Sequence, residues 1–201
     1  MTRRLGKIKE YYFRLLPEFS ESDWKRFSDY LVIRRYRRGD LLLRPGEVCN
    51  QVSFLNYGLG RSYYLVDGKE YICCFIDEDC AYFSVYESFL TRTPAQIYIE
   101  AMEDMEVVNL SWEALQEVYK FLDCADRMGR LIAEQLYINI TRRNASLLMD
   151  TPQERYQKLQ EDRPALFQKV PQYMIASYLG ITAEALSRIR SRLSRRTLVV
   201  H

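Results

Sequence analysis

The hydrophobic period of this sequence is that of strands from about Arg34 and that of a helix from about Phe121, and this succession confines the fold. Five of its eight glycines fall between positions 39 and 68: Gly39, Gly46, Gly58, Gly60 and Gly68. Short apolar runs lie among and after them, at Leu41–Leu43, Val52–Leu55, Ser62–Val66, Tyr71–Ile76, Ile97–Ile99 and Val107–Val108. Arg44-Pro45-Gly46 and Val66-Asp67-Gly68-Lys69 are turn signals, the second of hairpin type. Many short strands with a turn about every eight to twelve residues predict a barrel or sandwich. From about Phe121 the period becomes helical. Leu122, Met128, Leu131, Ile132, Leu136, Ile138 and Ile140 recur at three- and four-residue steps, and the pattern runs on to Leu147-Leu148-Met149. One helix of roughly 30 residues is long for a small domain. Its apolar stripe either fills the subunit's own core or meets a twin helix in a dimer, and the length favours the twin. The expected contact residues are Met128, Leu131, Ile132, Gln135 and Leu136.

Shorter helices frame these two textures. Residues 7–16 and 22–33 read as helices, the second capped from within Ser20-Glu21-Ser22-Asp23. Ser111 can cap a helix starting at Trp112. Thr151-Pro152 opens another, over 152–162, which ends near Arg163-Pro164.

Several classes of function are excluded by composition. The one histidine, His201, is the last residue, so Ser-His-Asp and Cys-His catalysis and histidine-rich metal sites are not expected. There is no glycine-rich phosphate loop, and no carboxylates are paired at acid–base spacing, so no catalytic residue and no metal ligand set is predicted. No apolar stretch approaches about 20 residues, and the basic start has no apolar segment behind it; neither a membrane span nor a secretory signal is expected. The five cysteines, Cys49, Cys73, Cys74, Cys80 and Cys124, form no Cys-x-x-Cys and are odd in number. Reduced thiols in a cytoplasm are the expectation. Cys73 and Cys74, adjacent on a strand, face opposite ways and read as small buried hydrophobes.

The net charge of +2 conceals an asymmetry. Residues 151–201 carry nine Lys/Arg and four acids, whereas residues 1–150 carry 20 basic and 23 acidic side chains. A basic C-terminal quarter on an acidic body suggests a polyanion partner for that quarter. Within it, 170–193 divides into two helices around Gly180. Ala176 is small where the second helix must cross closely, Gly180 suits a left-handed turn, and Ile181 plugs the space between the helices. Thr182 caps the second helix, Glu184 lies in its first turn, and Leu186, Ile189 and Leu193 form its buried stripe. The exposed face is then Ala183, Glu184, Ser187, Arg188, Arg190 and Ser191, with Arg192, Arg195 and Arg196 at the far end. This spacing is that of a helix-turn-helix whose second helix enters the major groove; the bland alternative is a helical hairpin with a solvated basic face. Arg can pair in two-pronged fashion with guanine, Glu can accept from cytosine N4, and arginines further along can hold phosphates.

Taken end to end, the chain resembles the cyclic-AMP receptor protein and fumarate–nitrate regulator (Crp/Fnr) superfamily. The resemblance rests on Arg37-Arg38-Gly39-Asp40 with Pro45-Gly46-Glu47, and on Ile175–Thr182 with Leu186-Ser187-Arg188-Ile189-Arg190, these last most similar to the Bacteroidetes-type branch. It implies an α+β fold: an N-terminal double-stranded β-helix or jelly-roll barrel of cyclic-nucleotide-binding type, a long dimerisation helix, and a C-terminal winged helix-turn-helix. Beyond the second helix, Leu198-Val199-Val200-His201 offers at most one strand of a truncated wing. The implied domains are a sensor at 1–118, the dimer helix at 119–150 and a DNA-binding domain at 151–201. The implied function is a homodimeric, sequence-specific transcription regulator on a two-fold operator. Its partners would be double-stranded DNA, RNA polymerase and a small-molecule effector. Thr182, Ala183, Glu184, Ser187, Arg188, Arg190, Ser191, Arg192 and Arg195 are the expected DNA-binding set. Glu184 and Arg188 match the family's base-reading pair, while Ala183 stands where an Arg often precedes that Glu, so the preferred site should differ. Cyclic-nucleotide binders hold ribose with Gly-Glu and phosphate with Arg-Ser; here there is no Gly-Glu, and Ala95-Gln96 fall at the second pair. Cyclic AMP is therefore not expected, and no cofactor is. The expected effector pocket is Tyr82, Phe83, Tyr86, Phe89, Ala95 and Gln96, either open to an apolar ligand or filled by its own rings. The competing reading is a ligand-binding roll that acts through a protein partner without touching DNA.

Overall fold

The computed structural model describes residues 4–199, without the side chains of Asp79 and of residues 195–199. The chain divides into two compact units: Met1–Leu65 with Cys73–Leu136, and Val66–Ile72 with Tyr137–His201.

The first unit opens with helices α1 (Gly6–Leu15) and α2 (Glu21–Ser28). The Ser20 hydroxyl accepts from the Asp23 amide at 3.1 Å, and the Asp23 carboxylate accepts from the Ser20 amide at 3.0 Å. This reciprocal cap fixes the start of α2 as the sequence predicts. Its end differs. The helix expected to reach residue 33 stops at Ser28, Leu31 drops into the core, and Val32–Tyr36 becomes strand β1. Pairing of this segment with a neighbouring strand, from Val32↔Asn109 to Tyr36↔Met105, overrides a helical continuation.

Seven further strands follow: β2 (Leu41–Leu43), β3 (Gln51–Tyr57), β4 (Gly60–Val66), β5 (Lys69–Ile76), β6 (Tyr82–Phe83), β7 (Tyr98–Ala101) and β8 (Met105–Ser111). They form two four-stranded sheets in the orders β1-β8-β3-β6 and β2-β7-β4-β5. Paired strands β1·β8, β2·β7, β3·β6 and β4·β5 are those of one long antiparallel ribbon rolled on itself, the jelly-roll order. Leu43, Leu55, Ile76, Phe83, Phe89, Ile99, Ala101, Met105 and Val107 form the core between the sheets. A second core covers the outer face of the first sheet, where Phe54, Val108 and Leu110 meet Ile8, Tyr12, Leu16 and Phe27 of the N-terminal segment.

A short helix, α3 (Tyr86–Thr91), follows β6, and α4 (Trp112–Phe121) follows β8. The Ser111 hydroxyl caps α4, accepting from Ala114 at 3.1 Å. The long helix read from about Phe121 to Met149 is one helix, α5 (Ala125–Met149), and it begins a few residues later than expected. Leu122 takes an extended backbone (φ −108°, ψ 104°) and buries its side chain, and α5 then runs over 25 residues from Ala125 to Met149. The break lets Leu122 enter the core, which a continuous helix would have turned elsewhere. Of the residues assigned to a dimer contact, Met128 is occupied inside the subunit's own core, while Leu131, Ile132 and Leu136 are half-buried and Gln135 is exposed.

The second unit contains the later part of α5, then α6 (Pro152–Asp162), α7 (Leu166–Lys169), α8 (Gln172–Tyr178) and α9 (Ala183–Val199). Thr151 and Glu154 cap α6 reciprocally, with Pro152 in the first turn. Leu198 and Val199, expected in one strand of a wing, end α9 instead. After Gly180 the chain has neither glycine nor proline to stop the helix. The rest of that expectation, Val200 and His201, lies outside the described residues.

Gly58 shows how tightly the ribbon turns. Its φ is +104°, and a Cβ there would stand 2.5 Å from the Met105 Cβ and 2.6 Å from the Asp104 carbonyl oxygen. Gly68, in the β4–β5 turn with φ +75°, has open space around it. We expect Gly58→Ala to lower stability by roughly 2–4 kcal/mol, combining backbone strain and collision, and Gly68→Ala by about 1 kcal/mol from strain alone. Urea unfolding of the two variants checks the difference.

Candidate functional site

The basic C-terminal segment folds around the crossing of α8 and α9. Ile175, Ala176 and Leu179 are buried on the α8 side, and Leu186 and Ile189 on the α9 side. Ile181 and Leu193 are half-buried. The turn is made by local hydrogen bonds: Gly180 N–H donates to the Ser177 carbonyl at 3.0 Å, and Ile181 N–H to the Ala176 carbonyl at 3.0 Å. Gly180 takes φ +70°, the left-handed region where glycine costs least. The Thr182 hydroxyl then accepts from the Ala185 amide at 3.2 Å and caps α9.

With Leu186 and Ile189 turned inward, the opposite side of α9 is open. Thr182, Ala183, Glu184, Ser187, Arg188, Arg190, Ser191 and Arg192 are all exposed, as expected from the sequence. At about 100° per residue, Glu184, Ser187, Arg188 and Ser191 make the central stripe, flanked by Arg190 and Arg192. The Arg195 side chain lies outside the described residues. Glu184 is held below the usual carboxylate range by its own backbone amide, the Thr182 hydroxyl and the nearby Arg188. It is therefore an anion, and an acceptor only, at neutral pH.

Three supporting residues went unseen in the sequence reading. Arg143 donates to the Tyr178 carbonyl at 2.8 Å and stacks over the Tyr178 ring at 3.9 Å. Arg155 donates to the Leu179 carbonyl at 3.0 Å and to the Asp150 carbonyl at 2.6 Å. Both satisfy carbonyls at the C-terminal end of α8, where a helix favours cations. Ser177 is the third: its hydroxyl accepts from the Ile72 amide at 3.0 Å and donates to the Glu70 carbonyl at 2.9 Å. No local sequence signal marks these partners, which meet α8 and its C-cap from 24 to 107 residues away.

The expected effector residues do not all share one pocket: Tyr82, Tyr86 and Phe89 line a common cavity, and Phe83, Ala95 and Gln96 do not. Phe83, Phe89 and Ala95 are buried in the core between the sheets. Gln96 is exposed, because the backbone of Ala95 pairs with Gly46 and Glu47 and alternation turns the next side chain outward. Tyr82 and Tyr86 lie toward the helix-covered face, and the Tyr82 hydroxyl donates to that of Tyr12. Burial raises the Tyr12, Tyr82 and Tyr86 hydroxyls above the ordinary tyrosine range, so all three stay neutral.

Residues 33–120, which hold nearly all of β1 and the chain onward through most of α4, match the family of cyclic nucleotide-binding domains. No curated protein matches the chain. Its fold extends over nearly the whole of several solved regulators. FixK2 from Bradyrhizobium japonicum is 19% identical with a TM-score of 0.70, over 83% of this chain and 86% of that one. The c-di-GMP responsive global regulator CLP of Xanthomonas campestris is 19% identical with a TM-score of 0.67, over 89% and 94%. A Crp/Fnr-family transcriptional regulator from Eubacterium rectale is 16% identical with a TM-score of 0.68, over 92% and 88%. At these identities the likeness is one of fold, and the fold is that of the Crp/Fnr regulators.

Within the matched segment, the arginine beside the expected phosphate position is already engaged. Arg92 sits in a left-handed conformation at the end of α3 and donates to the Cys49 carbonyl at 3.1 Å and the Phe89 carbonyl at 3.3 Å. Arg61, on β4, is buried against Glu100 at 2.7 Å.

Ser177→Ala should strand the buried Ile72 amide. We expect a loss of about 1–3 kcal/mol and faster hydrogen exchange at the Ile72 amide, measured by denaturant unfolding and exchange mass spectrometry.

Proposed function

We propose that the chain is a sequence-specific DNA-binding transcription regulator, in which α8 and α9 form a helix-turn-helix and α9 enters the major groove. One observation carries this reading: a capped helix with its apolar stripe buried presents Glu184, Ser187 and Arg188 in one open line, with arginines on both flanks. In this reading Arg188 pairs with guanine and Glu184 accepts from cytosine, while Arg190, Arg192 and Arg195 hold phosphates.

The protein acts as a homodimer through α5. Tyr137, Ile138, Ile140, Leu147, Leu148 and Met149 are exposed on that helix, Leu148 at 85% and Met149 at 77%. An apolar surface on this scale is unusual for a lone subunit and is supportive of a second copy. The working division is a sensor over 1–118, a dimer helix over 119–150 and a DNA-binding domain over 151–201. Cyclic AMP is not the effector: Ala95-Gln96 offer no cation for a buried phosphate, and Arg92 is committed to backbone carbonyls. Among the described residues, no group of three or more His, Cys, Asp or Glu is placed to hold a metal ion. Nor does any described helix have the length and apolarity to cross a membrane.

Gel-shift selection from a genomic library tests the proposal. The expected result is a two-fold site bound with a negative salt slope. Arg188→Ala should cost roughly 1–3 kcal/mol and relax discrimination at one base pair, and Arg192→Ala should weaken all sites about equally and flatten the salt slope by about one. Binding with neither sequence preference nor salt slope overturns the reading. Sedimentation should give a dimer, and Tyr137→Glu with Ile140→Glu should give monomers with much weaker operator binding; a wild-type monomer sinks the dimer.

A further inference from the structure

A cavity of about 130 Å³ lies within the first unit, between the sheet β1-β8-β3-β6 and the helices that cover it. Its sheet wall is Val52, Phe54, Val108 and Leu110. These are even-numbered positions on β3 and β8, whereas odd-numbered Leu55, Met105 and Val107 point between the two sheets. The cavity therefore opens toward the helix-covered face of this sheet, with Val52 and Phe89 of its wall also packing against the core between the sheets. Of the expected effector residues, Tyr82, Tyr86 and Phe89 line it, whereas Phe83, Ala95 and Gln96 do not.

Three properties define what it can hold. The volume is near that of an apolar protein cavity known to take one benzene-sized molecule, at about 150 Å³. The lining is aliphatic and aromatic and includes no charged side chain, so a carboxylate or phosphate entering it would have no counter-charge. One polar group is left over: the Tyr86 hydroxyl oxygen is buried and has no hydrogen-bond partner, whereas the Tyr12 and Tyr82 hydroxyls bond to one another. A buried hydroxyl without a partner is costly, and a ligand oxygen would satisfy it.

We infer that this cavity binds a neutral, single-ring aromatic molecule bearing one hydroxyl or carbonyl oxygen, which hydrogen-bonds to the Tyr86 hydroxyl. The ligand would touch α5 directly, through Met128 and Gly129. Gly129 has no side chain to spare: a Cβ there would stand 2.8 Å from the Tyr119 hydroxyl, another group of the wall. That role as an effector rests on the regulator reading, but the binding itself does not.

Titration calorimetry on the full chain tests it, with phenol, toluene, benzoate and cyclic AMP as probes. Wild type should bind phenol one to one and toluene about tenfold more weakly, the worth of one neutral hydrogen bond. Benzoate and cyclic AMP should not bind at the same concentrations. Tyr86→Phe should bring phenol down to the level of toluene. Ala133→Phe, at an exposed position on the rim, should weaken both at least about tenfold while thermal melting shows a folded chain. The inference is overturned if wild type does not bind phenol, if Tyr86→Phe keeps the preference for phenol, if folded Ala133→Phe binds as wild type does, or if benzoate or cyclic AMP binds as well as phenol. Operator binding is measured in parallel: its loss with phenol binding intact removes the regulator reading alone, and the reverse removes the cavity alone.

Discussion

Strands β3 and β8 each serve two cores at once, and the first unit depends on that double use. Along β3, Phe54 faces the helices and Leu55 faces the opposite sheet; along β8, Val108 and Leu110 face the helices and Met105 and Val107 the sheet. The pairing Phe54↔Val108 and Leu55↔Val107 holds the two alternations in step. A slip of one residue would exchange every pair of faces and place the Ser53–Asn109 hydrogen bond, now between the sheets, against the helices. Gly58 is the hinge of this arrangement, because only a residue without a Cβ can pass Met105 so closely. The cavity beside Tyr86 is a consequence of the same geometry: it is the space that the helices leave unfilled over the outer face.

The C-terminal unit obeys a different constraint. Its apolar stripe is narrow, so the position of α9 depends on polar groups that close the ends of α8. Arg143 and Arg155 meet the last carbonyls of α8, and Thr182 meets the first amides of α9. Asp150 gathers this region further, bonding to Lys158 at 2.8 Å while its backbone carbonyl receives Arg155. Such hydrogen bonds to charged groups are directional, and they orient the exposed line of Glu184, Ser187 and Arg188 more sharply than burial of two or three aliphatic side chains could. A surface that reads base edges needs that orientation, since two-pronged contacts tolerate little rotation.

Much of this was legible in the linear pattern, and the failures share a cause. Turns at Gly39, Gly46 and Gly68, the caps at Ser20, Ser111 and Thr151, and the left-handed Gly180 are local: each is decided within about four residues. The end of α2 and the exact start of α5, beyond Leu122, were not legible. Val32–Tyr36 is a strand because β8 lies beside it, and Leu122 leaves the helical path because a core is there to receive it. Likewise Met128 has the spacing of a dimer contact, yet it is consumed by its own subunit. Gln96 is adjacent to buried Ala95 in sequence but faces solvent, since a strand alternates and a list of neighbouring residues does not show which face is inside.

By itself the sequence determined the class of fold, the two textures, the helix starts and the exposed basic face of α9, because periodicity, caps and glycine turns act between near neighbours. Tertiary structure alone decided where helices stop, which tyrosines share a cavity, and which arginines hold carbonyls instead of remaining free for a phosphate. Those outcomes depend on burial and on hydrogen-bond partners brought together from distant parts of the chain, and a buried polar group takes whichever partner the packing puts within reach.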